Sequence, residues 1–87
     1  MARVFIPAQL RDLTGGEAEV EVAGGTVREL LEKLEERFGS FKERVTLDGE
    51  LSPALQVSVD GEFSRRGLDA KVKLDSEVHF LPVFGGG

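Results

Sequence analysis

The chain has no cysteine, no tryptophan and no tyrosine, and it holds one histidine and one methionine. Without cysteine there is no disulfide staple, no thiol nucleophile and no thiolate zinc site. His79 is the only imidazole, so a multi-histidine metal cluster is excluded and a Ser-His-Asp triad has no second imidazole in reserve. Long apolar runs are also missing. The first residues lead straight into Arg3-Val4-Phe5-Ile6 without a basic lead, so neither a signal peptide nor a membrane span is expected, and the cytoplasm is the expected compartment. Excess positive charge is lacking too: eleven Lys and Arg against sixteen Asp and Glu leave a net charge of −5. The cations are scattered along the chain. Such a protein repels phosphate backbones and anionic lipid, so nucleic acid and membranes are not expected partners, and a partner with a basic docking surface is.

What is present fits one domain, since 87 residues leave room for no more. Arg3 to Pro7 reads as a strand with Val4 and Ile6 on one face and Phe5 on the other. After Thr14-Gly15-Gly16, Glu17 to Val22 alternates strictly, with Ala18, Val20 and Val22 on the dry side. Thr26 and Glu29 form a capping box, and Gly39 stands where a helix C-terminus is expected. Between them Val27, Leu30, Leu31, Leu34 and Phe38 make one apolar stripe, and the charged residues around it make a solvated face. Beyond the helix, 41–51 is loosely patterned around a turn at Asp48-Gly49. Leu55, Val57 and Val59 alternate up to a second turn at Asp60-Gly61, and Glu77 to Val83 closes the pattern as a last strand. The order strand, strand, helix, strand, strand predicts an α+β domain: a mixed sheet with one helix across one face. One helix cannot cover both faces, so the other is wet or meets a partner.

Catalysis requires convergent polar groups, and the chain offers few. Asp75 and Glu77 flank Ser76 in a turn, with no apolar pocket to raise a pKa. Gly15-Gly16 and Gly24-Gly25 lack the spacing of phosphate-binding loops and read as turn glycines. Arg65-Arg66 is too short to be an anion site by itself, although it can assist docking. No catalytic residue and no metal site are expected. The end of the sequence is different: Leu81-Pro82-Val83-Phe84-Gly85-Gly86-Gly87 has no polar side chain. A glycine run of this kind is either a frayed end or linker or a group presented to a partner. The four residues after Val83 extend at most roughly 13–14 Å, enough to enter a cleft. Glycines pass a narrow channel in any backbone conformation it demands.

An ordered set of fragments spans nearly the whole chain: Ile6-Pro7 with Leu10-Arg11, Thr14-Gly15-Gly16, Gly25-Thr26-Val27 with Glu29-Leu30-Leu31 and Leu34, Val57 and Val59 with Asp60-Gly61-Glu62, Gly67-Leu68, Glu77-Val78, Leu81-Pro82 and Gly86-Gly87. This set resembles the MoaD/ThiS family of ubiquitin-like sulfur carriers, and the segments around Leu10-Arg11, Thr14-Gly15-Gly16 and Gly67-Leu68 look most like its cysteine-pathway branch. The resemblance implies a β-grasp domain over 1–84 with a flexible glycine tail at 85–87. It implies that Gly87 is adenylated and then thiocarboxylated, that Gly85 and Gly86 are required for activation, and that sulfur is donated for cysteine or molybdopterin synthesis. Gly85 replaces the family's usual alanine, and Phe84 a smaller aliphatic residue. Such a chain is a protein substrate and not an enzyme. It binds no cofactor itself, ATP and Mg being used by the partner. The implied partners are a ubiquitin-activating-like adenylating enzyme and a sulfur acceptor such as a cysteine synthase or the large subunit of molybdopterin synthase. Phe5, His79 and Leu81 on the uncovered face, with Phe84, are the expected docking residues. The alternative is a ubiquitin-like modifier joined through Gly87 to lysines of target proteins.

Overall fold

The computed structural model describes residues 1–83; Phe84 and the expected tail at 85–87 lie outside the described residues. Among the described residues seven strands form: β1 Ala2–Phe5, β2 Glu19–Val22, β3 Thr46–Leu47, β4 Glu50–Leu51, β5 Leu55–Val59, β6 Glu62–Phe63 and β7 Glu77–Pro82. Two α-helices, α1 Val27–Phe38 and α2 Phe41–Val45, and two 3₁₀ turns, Ala8–Thr14 and Gly67–Asp69, complete the described residues. Five strands make one mixed sheet in the order β2-β1-β7-β5-β6, and β3 and β4 form a separate ribbon. Strand β1 runs parallel to β7 and the other pairs are antiparallel. This is the expected α+β β-grasp architecture, with more strands than the sequence revealed.

Helix α1 forms where the capping box places it. Thr26 Oγ1 accepts the Glu29 N–H at 3.3 Å, while Glu29 Oε1 accepts the Gly25 N–H at 2.8 Å, one residue earlier than in the usual box. Gly39 ends the helix at φ 69°, its N–H donating to Glu35 O. The stripe Val27, Leu30, Leu31 and Leu34 is fully buried in one core with Val4, Val20, Val57, Val78 and Phe80 of the sheet and with Ile6 just past β1. Each such side chain contributes about 1.5–3 kcal/mol by leaving water, so α1 holds the sheet by this stripe and leaves the opposite face uncovered.

Three details depart from the sequence reading. Strand β2 begins at Glu19, and Ala18 is exposed instead of sharing the dry side. The turn after Gly16 runs on through Glu17, whose N–H donates to Thr14 O at 3.2 Å while its carbonyl accepts from Thr14 Oγ1 at 2.8 Å. Second, 41–45 is a helix that buries Phe41 and Val45 completely. The Phe41 ring meets Phe80 edge-on at 6.2 Å, closing an end of the core that α1 alone leaves open. Third, Asp48-Gly49 and Asp60-Gly61 each place both residues at positive φ. These are the primed turns that match strand twist, and they create β3–β4 and β5–β6 as two short hairpins.

Candidate functional site

Strand parity decides what the uncovered face displays. With Val4, Val78 and Phe80 turned to the core, Arg3, Phe5, Glu77, His79 and Leu81 point the other way. The parallel register sets Phe5 beside His79. Their rings stack with centroids 4.2 Å apart and planes within 3°. Arg3 lies 5.8 Å from the Phe5 centroid. It donates to Glu77 Oε2 at 2.6 Å and lies 3.6 Å from Glu19. Pairs this exposed add at most about 1 kcal/mol each, but they hold Arg3 flat along the strands and leave the rings as the accessible apolar surface. Leu81 continues that surface and is 37% exposed. A shallow cavity of about 410 Å³ opens beside it, lined by Phe5, Pro7, Arg11, His79 and Leu81 among others. Arg11 is held there by its Nε, which donates to Ile6 O at 3.1 Å.

This arrangement suits recognition. A half-buried aromatic pair next to an exposed leucine gains by desolvation against a partner. Among the described residues no group of three or more His, Cys, Asp or Glu is placed to hold a metal ion. The carboxylate that the fold perturbs is Asp60, which the sequence reading took only as a turn residue. Its Oδ1 accepts the Glu77 N–H at 2.9 Å and its Oδ2 accepts the Ser76 hydroxyl at 2.7 Å. The Glu77 bond first, and then the Ser76 bond, hold its pKa below the ordinary 3.8. Both bonds tie the β5–β6 turn to the start of β7, so the role is structural.

The wet face of the sheet thus clusters aromatic and aliphatic side chains, as strand parity leads one to expect. The ThiS family profile matches residues 4–87. The chain belongs to the ThiS family. Among solved structures of similar fold, a chain of the Amycolatopsis orientalis BexX/CysO complex aligns at TM-score 0.92 with 37% identity, covering 100% of both chains. Mycobacterium tuberculosis CysO aligns at 0.88 with 28% identity over 95% of this chain and 99% of that one. SAMP1 from Haloferax volcanii, a small archaeal modifier protein, aligns at 0.73 with 27% identity over 99% and 98%. No curated protein sequence matches the chain.

Within this member of the ThiS family, the expected docking residues Phe5, His79 and Leu81 come together on one face. Phe84, Gly85, Gly86 and Gly87 lie outside the described residues. Arg3 and Arg11 were missed because an arginine in a short strand or turn has no periodic signal. The glycine pair Gly24-Gly25 is more than a turn, since a Cβ on Gly24 would stand 2.9 Å from Leu30 Cδ2.

Proposed function

We propose that this chain is a sulfur carrier of the cysteine-forming route, a protein substrate whose reactive group is the Gly87 carboxylate. Residues 1–84 form the β-grasp body and 85–87 the tail. The observation that supports this most directly is the face that Phe5 of β1 forms with His79 and Leu81 of β7, the strand that leads toward the tail, in a chain whose family match runs through Gly87. An adenylating enzyme docks on that face and receives the tail. The Gly87 carboxylate attacks the α-phosphate of ATP, pyrophosphate leaves, and a sulfur nucleophile then displaces AMP to give the thiocarboxylate. ATP and Mg belong to that enzyme, and a cysteine synthase is the acceptor. The 37% identity to a chain of a BexX/CysO complex supports both the carrier role and the habit of binding a partner.

A second reading, a modifier attached to target lysines, draws on the likeness to SAMP1. It uses the same activation but leaves Gly-Gly remnants on other proteins, where a carrier shows sulfur in place of one terminal oxygen by intact-mass spectrometry. The test of activation is ATP–pyrophosphate exchange with the adenylating enzyme. Deleting Gly87 moves the carboxylate roughly 3.5 Å short of its mark, and such misplacement severely reduces exchange. Gly86→Val blocks it by filling the channel and restricting φ. Both variants are expected to melt like the parent. Full exchange from both would refute the proposal.

A further inference from the structure

Cations scattered in the sequence are gathered by the fold. Arg65 and Arg66 follow β6, where Ser64 Oγ accepts the Arg66 N–H at 3.0 Å and turns the chain. Lys71 and Lys73 flank buried Val72. That segment is pinned to the start of α1, since the Val72 N–H donates to Gly25 O at 2.9 Å and Lys71 pairs with Thr26. The four cations and Phe63 line one open cavity of about 630 Å³. Among the described residues none of the four forms an ion pair, whereas Arg3, Arg28 and Lys33 do. The nearby carboxylates are otherwise engaged: Asp69 is 3.2 Å from Arg28, and Asp60 accepts from Ser76 and Glu77. Glu62 and Asp60 also line the cavity, so it is net positive on a chain whose overall charge is −5. It lies at the Glu77 end of β7. The five residue steps to Pro82 separate it by about 17 Å from the point where the chain leaves the sheet.

We propose that this cavity is a second docking site, filled by an acidic, extended peptide segment of a partner protein whose apolar side chain rests on Phe63. Arg65, Arg66 and Lys71, which form no ion pair among the described residues, accept carboxylates without breaking one. Lys73, whose charge also acts on Asp60, adds to the positive field. Phe63, 59% exposed beside them, supplies the apolar contact that charge alone lacks. A long polyanion meets the acidic surface outside the cavity and is repelled, whereas a short acidic segment meets only the cations. The site requires neither the tail nor an activating enzyme. A partner gripping the far end of β7 leaves it open.

The test is an amide-resolved NMR titration of the full chain with a synthetic octapeptide of Asp and Glu carrying one central leucine. The expected result is saturable shifts confined to residues 62–66 and 70–73, weakening as salt is raised. Arg65→Glu combined with Lys71→Glu is expected to lower affinity about tenfold or more, with an unchanged melt because both side chains are exposed. Replacing the peptide's leucine with serine is expected to weaken binding as well. The proposal is overturned by no saturable shift, by shifts spread equally to Lys42 and Arg44, or by full affinity in the double variant. Equal affinity for oligothymidylate or inorganic pyrophosphate overturns it too. So does concentration-dependent sedimentation of the chain alone that the double variant abolishes, which assigns the cavity to a second copy.

Discussion

Replacing Gly24 with alanine measures how closely the start of α1 approaches the segment leaving β2. A Cβ at this position would lie 2.9 Å from Leu30 Cδ2, 3.1 Å from Glu29 Cβ and 3.2 Å from the Leu30 nitrogen. Two effects compete. Alanine restricts the unfolded chain and so favours folding by about 0.4–1 kcal/mol. Overpacking a filled core costs about 1–3 kcal/mol. Leu30 is fully buried and two of the three near atoms belong to the helix framework, so overpacking prevails by about 1–2 kcal/mol. For a domain of this size that lowers the melting temperature by about 4–15 °C. Gly25→Ala is the control, because its Cβ would meet only Glu29 Oε1, at 3.7 Å. Thermal melts by far-UV circular dichroism compare the two variants with the parent. The reasoning is refuted if Gly24→Ala melts at or above the parent, or no lower than Gly25→Ala. The same change has a functional readout. Gly25 O accepts the Val72 N–H, so a shifted 24–26 segment moves Lys71 and Lys73 and weakens binding of the acidic octapeptide.

Leu34→Ala empties a fully buried position under α1 and is expected to cost about 2–5 kcal/mol; a melt within a degree or two of the parent contradicts the packing described. Phe5→Asp and Leu81→Asp place charge on the uncovered face, and each is expected to weaken binding to the adenylating enzyme at least about tenfold while the fold survives. Unchanged binding in a direct titration of both variants removes that face from consideration. Asp60 stabilises the fold while ionised, because its folded pKa lies below the ordinary 3.8. That contribution is complete above the unfolded value and is lost as pH falls through the lower folded one. Asp60→Asn is therefore expected to lower the melting temperature by a constant amount from pH 7 to 5, a deficit that shrinks below about pH 4. A deficit growing in acid contradicts this.

The sequence made the long, periodic elements legible. Helix α1 carries its own start, stop and stripe within 26–39, and β1 and β7 each carry their parity, so Phe5, His79 and Leu81 are assigned to the uncovered face by sequence. The short elements were not legible for a physical reason. Helix α2 offers only Phe41 and Val45 as buried positions, too few to distinguish a period. Strands β3, β4 and β6 showed only the Asp-Gly turns beside them, since two-residue strands have no alternation to read. The cavity of Arg65, Arg66, Lys71 and Lys73 was hidden because it depends on Val72 being tied to Gly25, a contact between segments remote in sequence. Asp60 was taken for a turn residue because its partners, Ser76 and Glu77, lie 16 and 17 positions away.

The parallel pairing of β1 with β7 also bears on the order in which the protein comes into being. Strand β7 is the middle of the five-stranded sheet, yet among the described residues it comes last in the chain and leaves the ribosome after the strands it joins. Until residues 77–82 have emerged, β1 and β5 have no strand between them, and Arg3 lacks Glu77, 74 positions away. Closure over such a separation is slow, and the unfinished sheet is exposed to aggregation meanwhile. A nascent or truncated chain lacking this strand presents neither the stacked Phe5–His79 pair nor Leu81. Recognition of the folded face thus reads a late event of synthesis: a chain able to dock there has already been made through residue 82.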